Sequence, residues 1–112
     1  MYNHMVVDTP DADRIFGALT DATRRDILAR VMHAEESVSS LARRYPMSFA
    51  AVQKHVAVLE QAELVVKVRR GREQLVHGNA ATVATASQLL EAYAQLWRER
   101  LERIDEILLE EA

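Results

Sequence analysis

The chain of 112 residues contains no cysteine, which removes disulfides, thiolate zinc sites and cysteine nucleophiles from consideration. Three glycines and two prolines are few, and they argue against turn-dense sandwiches, barrels and collagen-like repeats. No apolar run approaches the roughly eighteen residues of a membrane span. The first residues lack the charged-then-apolar pattern of a secretory signal, so a reducing cytoplasm is the expected compartment. No low-complexity stretch and no internal repeat is present. A hydrophobic fraction of 49% with 28% charged residues is that of a globular chain, and the length suits one domain spanning residues 1–112.

The net charge of −3 is unevenly spread. Residues 1–23 carry four aspartates against Arg14; residues 24–72 carry ten Lys/Arg against five Asp/Glu; residues 73–112 carry eight acidic groups against three arginines. A basic middle between two acidic ends gives a local field that a polyanion responds to, whatever the total.

Helical spacing of Ile15, Phe16 and Leu19 predicts a first helix over 11–19, with Thr9-Pro10 as its start signal. Asp21 or Thr23 opens a second, with Ile27, Leu28 and Val31 as its apolar stripe, broken by Glu35 and Glu36. Ser37 or Ser39 caps a short third helix through Leu41, Ala42 and Tyr45, which Pro46 ends. Ser48 caps a fourth: Val52, Val56 and Leu59 face a core, while Ala50, Ala51, Gln53, Lys54 and Ala57 form a small or polar outer face. The β-branched run from Leu64 to Arg69 and the segment Gln74–His77 read as strands around Arg70-Gly71-Arg72, a hairpin with a basic tip. From about residue 80 to 109 no Gly or Pro interrupts one long helix, striped by Leu89, Leu90, Tyr93, Leu96, Trp97, Leu101, Ile104 and Leu108. Leu89 to Tyr93 are expected to pack on the chain's own core, whereas Trp97 to Leu108 call for a partner helix, most simply a second copy of the chain.

This order is that of a winged helix-turn-helix. The run Phe16-Gly17-Ala18-Leu19-Thr20-Asp21-Ala22-Thr23-Arg24-Arg25-Asp26-Ile27-Leu28 resembles the opening helix pair of the ArsR-type bacterial repressors. Ser37–Ala42 with Met47–Leu59 resembles that family's helix-turn-helix, and Leu64-Val65 through the Arg70-Gly71-Arg72 tip its wing. The similarity spans residues 11–78, with a family-like terminal helix over 80–109. Ala22 stands where the family usually has proline and Glu63 where it usually has glycine, departures that bear on local turns. The resemblance implies a mainly α fold with a small β-hairpin and a long C-terminal dimerisation helix. It implies a homodimeric autorepressor that binds double-stranded DNA and is released by an effector, with a small molecule as one candidate. A protein-interaction module on the same scaffold is the alternative. Nothing has the spacing of a nucleophile with its base, a phosphate loop or paired carboxylates, so no enzyme is expected.

The candidate base-reading residues are Ser48, Phe49, Ala50, Gln53, Lys54 and His55. The alanines permit close approach to a major groove, Gln53 can pair with adenine, and Lys54 can reach guanine acceptors or a phosphate. Phe49 occupies a position where the family usually has a polar reader; it either touches a thymine methyl or belongs to the core. Lys67, Arg69, Arg70 and Arg72 of the wing, with Arg43 and Arg44 beside the turn, are the candidate phosphate contacts. One of Arg24 and Arg25 is a candidate partner for Asp21 or a neighbouring carboxylate. The candidate dimer surface is Ile15, Leu90, Tyr93, Trp97, Leu101, Ile104 and Leu108. Metal sensors of the family use a Cys-containing motif on the third helix, or Asp/His/Glu ligands on the terminal helix. Here Val38-Ser39-Ser40-Leu41 has no thiol and the terminal helix no histidine, and His4, His33, His55 and His77 lie in separate elements. No metal and no cofactor are expected.

Overall fold

The computed structural model describes residues 10–111, so His4 and Thr9 lie outside the described residues. Helix α1 (Pro10–Ala18) is followed by α2 (Ala22–His33), strand β1 (Glu36–Ser37), α3 (Val38–Ala42) and α4 (Phe49–Gln61). The hairpin β2 (Val65–Arg70) and β3 (Glu73–Gly78) then leads into α5 (Ala80–Glu111). The sheet is antiparallel with order β1-β3-β2.

Four helix starts are fixed by a short polar side chain that satisfies an otherwise unpaired backbone donor. Asp21 accepts from the Arg24 N–H at 3.1 Å, Ser37 from Ser40 at 3.0 Å, Ser48 from Ala51 at 3.1 Å and Asn79 from Ala81 at 3.2 Å. The third helix is shorter than its sequence suggests. It ends at Ala42, and Tyr45 belongs to the following turn, where Met47 N–H bonds the Tyr45 carbonyl at 2.8 Å.

The core gathers one face from each element. Ile27 and Val31 of α2, Val38 and Leu41 of α3, and Val52, Val56 and Leu59 of α4 meet Leu64, Val65 and Val76 of the hairpin region. Ile15 and Ala18 of α1 join the same cluster. Ile15 is only 2% exposed within the chain, which corrects its expected placement on a dimer surface. Periodicity identifies its apolar face but not which neighbour covers it, and here that neighbour is the chain's own core.

Helix α4 ends in a left-handed turn. Glu63 has φ 60°, its N–H bonds the Glu60 carbonyl at 2.9 Å, and the Leu64 N–H reaches back to Leu59 at 3.0 Å. These are the two bonds of a Schellman cap, with Leu59 and Leu64 both fully buried beside it. A side chain in this conformation carries about 1 kcal/mol of strain that glycine escapes. Glu63→Gly is therefore expected to raise unfolding stability by about 0.5–1 kcal/mol in urea titration, net of glycine's greater freedom when unfolded. A lower midpoint for the variant would contradict this reading of the turn.

The carbonyl-rich end of α1 is tied by two arginines. Arg24 donates from Nε to the Ala18 carbonyl at 2.7 Å, and Arg25 donates to that of Leu19 at 2.7 Å. Neither guanidinium pairs with Asp21: both cap the C-terminal end of α1, where cations are favoured. Helix α5 departs from the rest of the fold. Its one buried residue is Ala86, and the molecule measures 69 × 33 × 21 Å because the helix runs far beyond the core.

Candidate nucleic-acid interface

The face of α4 that packs inward carries Val52, Val56 and Leu59, so residues a half-turn away must point outward. Ser48, Phe49, Ala50, Gln53 and Lys54 are all exposed, and Ala51 is half-buried. Phe49 is 47% exposed and takes no part in the core, which removes the core alternative for it. His55 differs from the others. It is half-buried and turned toward α2, where Arg24 donates to its Nδ1 at 3.2 Å. A guanidinium can only donate, so Nδ1 is the acceptor in this contact. His55 thus braces α4 against α2 and stands apart from the outward row.

The hairpin turns through Gly71-Arg72 between the paired Arg70 and Glu73. Gly71 has φ 65° at the first turn position, a value that suits a tight hairpin and that side chains resist. Strand alternation sends Lys67 and Arg69 to one face and Arg70 to the other. Lys67 lies 3.4 Å from Glu60 of α4, and Arg70 lies 3.3 Å from Glu35, whose second oxygen is 3.5 Å from His77 Nδ1. Arg44 is hydrogen-bonded to Glu36, which also accepts from the Ser40 hydroxyl. Of the six basic residues expected to meet phosphates, three therefore have carboxylate partners. Among the described residues Arg43, Arg69, Arg72 and also Lys54 have none within 4 Å. Sequence spacing does not reveal these counterions, because Glu35, Glu36 and Glu60 belong to other elements of the fold than the cations they face.

A second network holds the turn before α4. Asp26 accepts from the Tyr45 hydroxyl and, at 2.9 Å, from Arg30 Nε. The Tyr45 bond and then the Arg30 bond hold the Asp26 carboxyl below its ordinary value. Burial, reinforced by Asp26, pushes the Tyr45 phenol up to about 12. For Glu36, burial raises the carboxyl, but the bonds from Ser40 and Arg44 outweigh it and the net direction is down. Carboxylates lowered by folding stabilise the fold above their unfolded values and lose that contribution as pH falls through the folded ones. Stability is thus expected to be flat near neutrality and to fall below about pH 4, with a smaller acid loss in Asp26→Asn. Equal acid dependence in the variant and the parent, by thermal melts, would argue against this network.

Along α5 the exposed residues form a stripe. Leu90, Tyr93, Trp97, Leu101, Ile104 and Leu108 are between 42% and 60% exposed, and Leu96, Ile107 and Leu109 add to the apolar surface. Leu90 and Tyr93 do not pack on the core, contrary to the expectation for Leu89 to Tyr93; of the three apolar residues only Leu89 is half-buried. The helix leaves the body of the protein earlier than the hydrophobic pattern alone indicates. A half-open cavity of about 180 Å³ sits where α1, the end of α4 and the start of α5 meet, lined by Ile15, Ala62, Glu63, Thr82 and Thr85. Among the described residues no group of three His, Asp or Glu side chains is placed to hold a metal ion, and no helix is long and apolar enough to cross a membrane.

A short helix, a turn and an exposed α4, followed by a cationic hairpin, define a winged helix-turn-helix. The ArsR-like transcriptional regulator of Rhodococcus sp. RHA1 superposes with a TM-score of 0.76 at 36% identity, over 87% of this chain and 92% of that one. This chain belongs to the ArsR family of transcriptional regulators. The HTH-type transcriptional regulator Rv2034 of Mycobacterium tuberculosis is 47% identical over 53 residues, which are 47% of this chain. The matched region spans half of that relative's length. A homodimeric winged helix-turn-helix DNA-binding domain from Mycobacterium bovis shares the fold, with a TM-score of 0.65 at 19% identity over 84% of each chain. No family model matches the chain.

Proposed function

We propose that the protein is a homodimeric, sequence-specific DNA-binding repressor that acts at an operator near its own gene and is released by an effector. The observation that carries this reading is the outward row Ser48, Phe49, Ala50, Gln53 and Lys54 on a helix whose opposite face is locked into the core. A helix so held presents its side chains to a major groove without rearranging. Two such helices, related by the pairing of α5 with a second copy, read half-sites about one helical turn apart. The Mycobacterium bovis domain of the same fold is described as a homodimer that binds DNA, and the bare stripe of α5 is the surface such an assembly needs. The protein works without catalysis, cofactor or metal, inside the cell, and the wing supplies backbone contacts through Arg69 and Arg72, with Arg43 beside the turn.

Selection of bound duplexes from genomic fragments tests the reading. Recovery of one pseudo-palindromic motif supports it; recovery of unrelated fragments, or none, contradicts it and favours a protein-interaction module.

The counterions refine the expected contacts. Arg70 is exposed and its pair with Glu35 is worth little to stability, so a phosphate can take Glu35's place. Glu35→Gln is expected to tighten binding to all duplexes and to leave thermal stability within about 0.5 kcal/mol. If Arg70 is released fully, log K steepens against log[salt] by about 0.9 per protomer. An unchanged or weaker affinity in anisotropy titrations would show that Glu35 does not compete for Arg70.

A further inference from the structure

Phe49 remains unexplained by packing. It is the first residue of α4, directly after the Ser48 cap, and is 47% exposed on a surface otherwise made of small, polar and cationic side chains. Its neighbours Ala50 and Ala51 are short and hold nothing away from the helix, so the ring is the projecting feature of this end. A phenyl ring neither donates nor accepts a hydrogen bond, and a phosphate or a polar base edge gains nothing from it while losing water. The apolar group that a major groove offers is the 5-methyl of a pyrimidine.

We propose that Phe49 reads the 5-methyl group of a thymine lying within one or two base pairs of the position read by Gln53. The spacing follows from helix geometry. Phe49 and Gln53 are four residues apart and so share a side of α4, about 6 Å apart along its axis. Successive bases rise about 3.4 Å, so the two side chains meet neighbouring or next-neighbouring pairs. The pairing with Gln53, which suits adenine, makes an A·T-rich step the target. The proposal rests on the DNA-binding reading of α4 and names one determinant of its sequence preference.

The test uses the intact chain and the duplex recovered by selection. Each thymine is replaced in turn by deoxyuridine, which lacks only the methyl. For the parent, one position per half-site is expected to cost about fourfold in affinity, or about fifteenfold when both half-sites are changed, the value of one buried methyl. Phe49→Ala is expected to bind the thymine and uracil duplexes equally, and Phe49→Leu to keep part of the preference. At the same position a 5-methylcytosine·guanine pair, compared with cytosine·guanine, separates a methyl reader from a thymine-specific site: a gain on methylation supports the methyl contact. The exposed position of Phe49 leaves the fold of both variants intact, which melting curves verify. Equal uracil penalties for parent and Phe49→Ala, or none at any position, overturn the proposal while leaving DNA binding in place. Failure of the parent to bind any duplex overturns the DNA-binding reading itself.

Discussion

Leu101→Glu or Ile104→Glu is expected to convert a stable dimer into a monomer and to lower operator affinity by roughly two to four orders of magnitude. The two residues are 42% and 43% exposed in the chain and sit within an apolar stripe that runs from Leu90 to Leu108. A helix of 32 residues is about 48 Å long, and beyond Ala86 none of its residues is buried within the chain. An apolar face of this extent stays in water only at a cost of roughly 25 cal/mol per Å², so a second copy is the simplest cover. A carboxylate at the centre of that seam must be desolvated without a partner. Two linked recognition helices gain from the high effective concentration of the second half-site, and a monomer forgoes that gain. The winged core lies apart from the substitution, so helix content and weak, salt-sensitive binding to any duplex should survive. Sedimentation of the parent as a monomer at micromolar concentration would overturn this account of α5.

The second large effect concerns the division of labour between α4 and the wing. Gln53→Ala is expected to cost about 1–3 kcal/mol for each base it reads on the selected duplex, and up to twice that in a symmetric dimer. On scrambled DNA the same variant should lose little. Arg72, at the hairpin tip and without a carboxylate within 4 Å among the described residues, is suited to the sugar-phosphate backbone. Arg72→Ala should therefore weaken binding to selected and scrambled duplexes alike. It should also flatten the salt dependence by about 0.9 for every phosphate that the arginine no longer neutralises. Salt titrations of both variants on both duplexes separate the two roles. A change in sequence preference from Arg72→Ala, with a change in salt slope from Gln53→Ala, would invert the assignment.

The elements behind these effects are readable in the sequence wherever periodicity or a cap makes a local signal. Val52, Val56 and Leu59 recur at one face, Ser48 caps the helix, and Arg70-Gly71-Arg72 turns the hairpin; each is found in the structure. What escapes the sequence depends on partners distant in the chain. Strand β1 is two residues long, too short for an alternating pattern, and exists because Glu36 and Ser37 pair with Val76 and Leu75 of β3. Glu63 holds a glycine-like backbone because the Schellman bonds and the burial of Leu59 and Leu64 outweigh its strain. On spacing alone the arginines are free cations or surface pairs. Four of them, Arg24, Arg25, Arg44 and Arg70, are directed at helix-end carbonyls or at carboxylates that only the fold brings near. The stripe of α5 is legible as apolar, but the point at which the helix leaves its own core is not.

If a helix fixed by its inner face reads sequence while a basic hairpin holds the backbone, specificity and salt dependence appear together in one titration. The decisive measurement is the affinity of the intact protein for the selected duplex and for a scrambled duplex of equal composition, over about 50 to 200 mM salt. Binding to the selected duplex is expected to be at least about a thousandfold tighter, with both affinities falling steeply as salt rises. Equal affinities for the two duplexes, or no salt-sensitive binding to either, would contradict it.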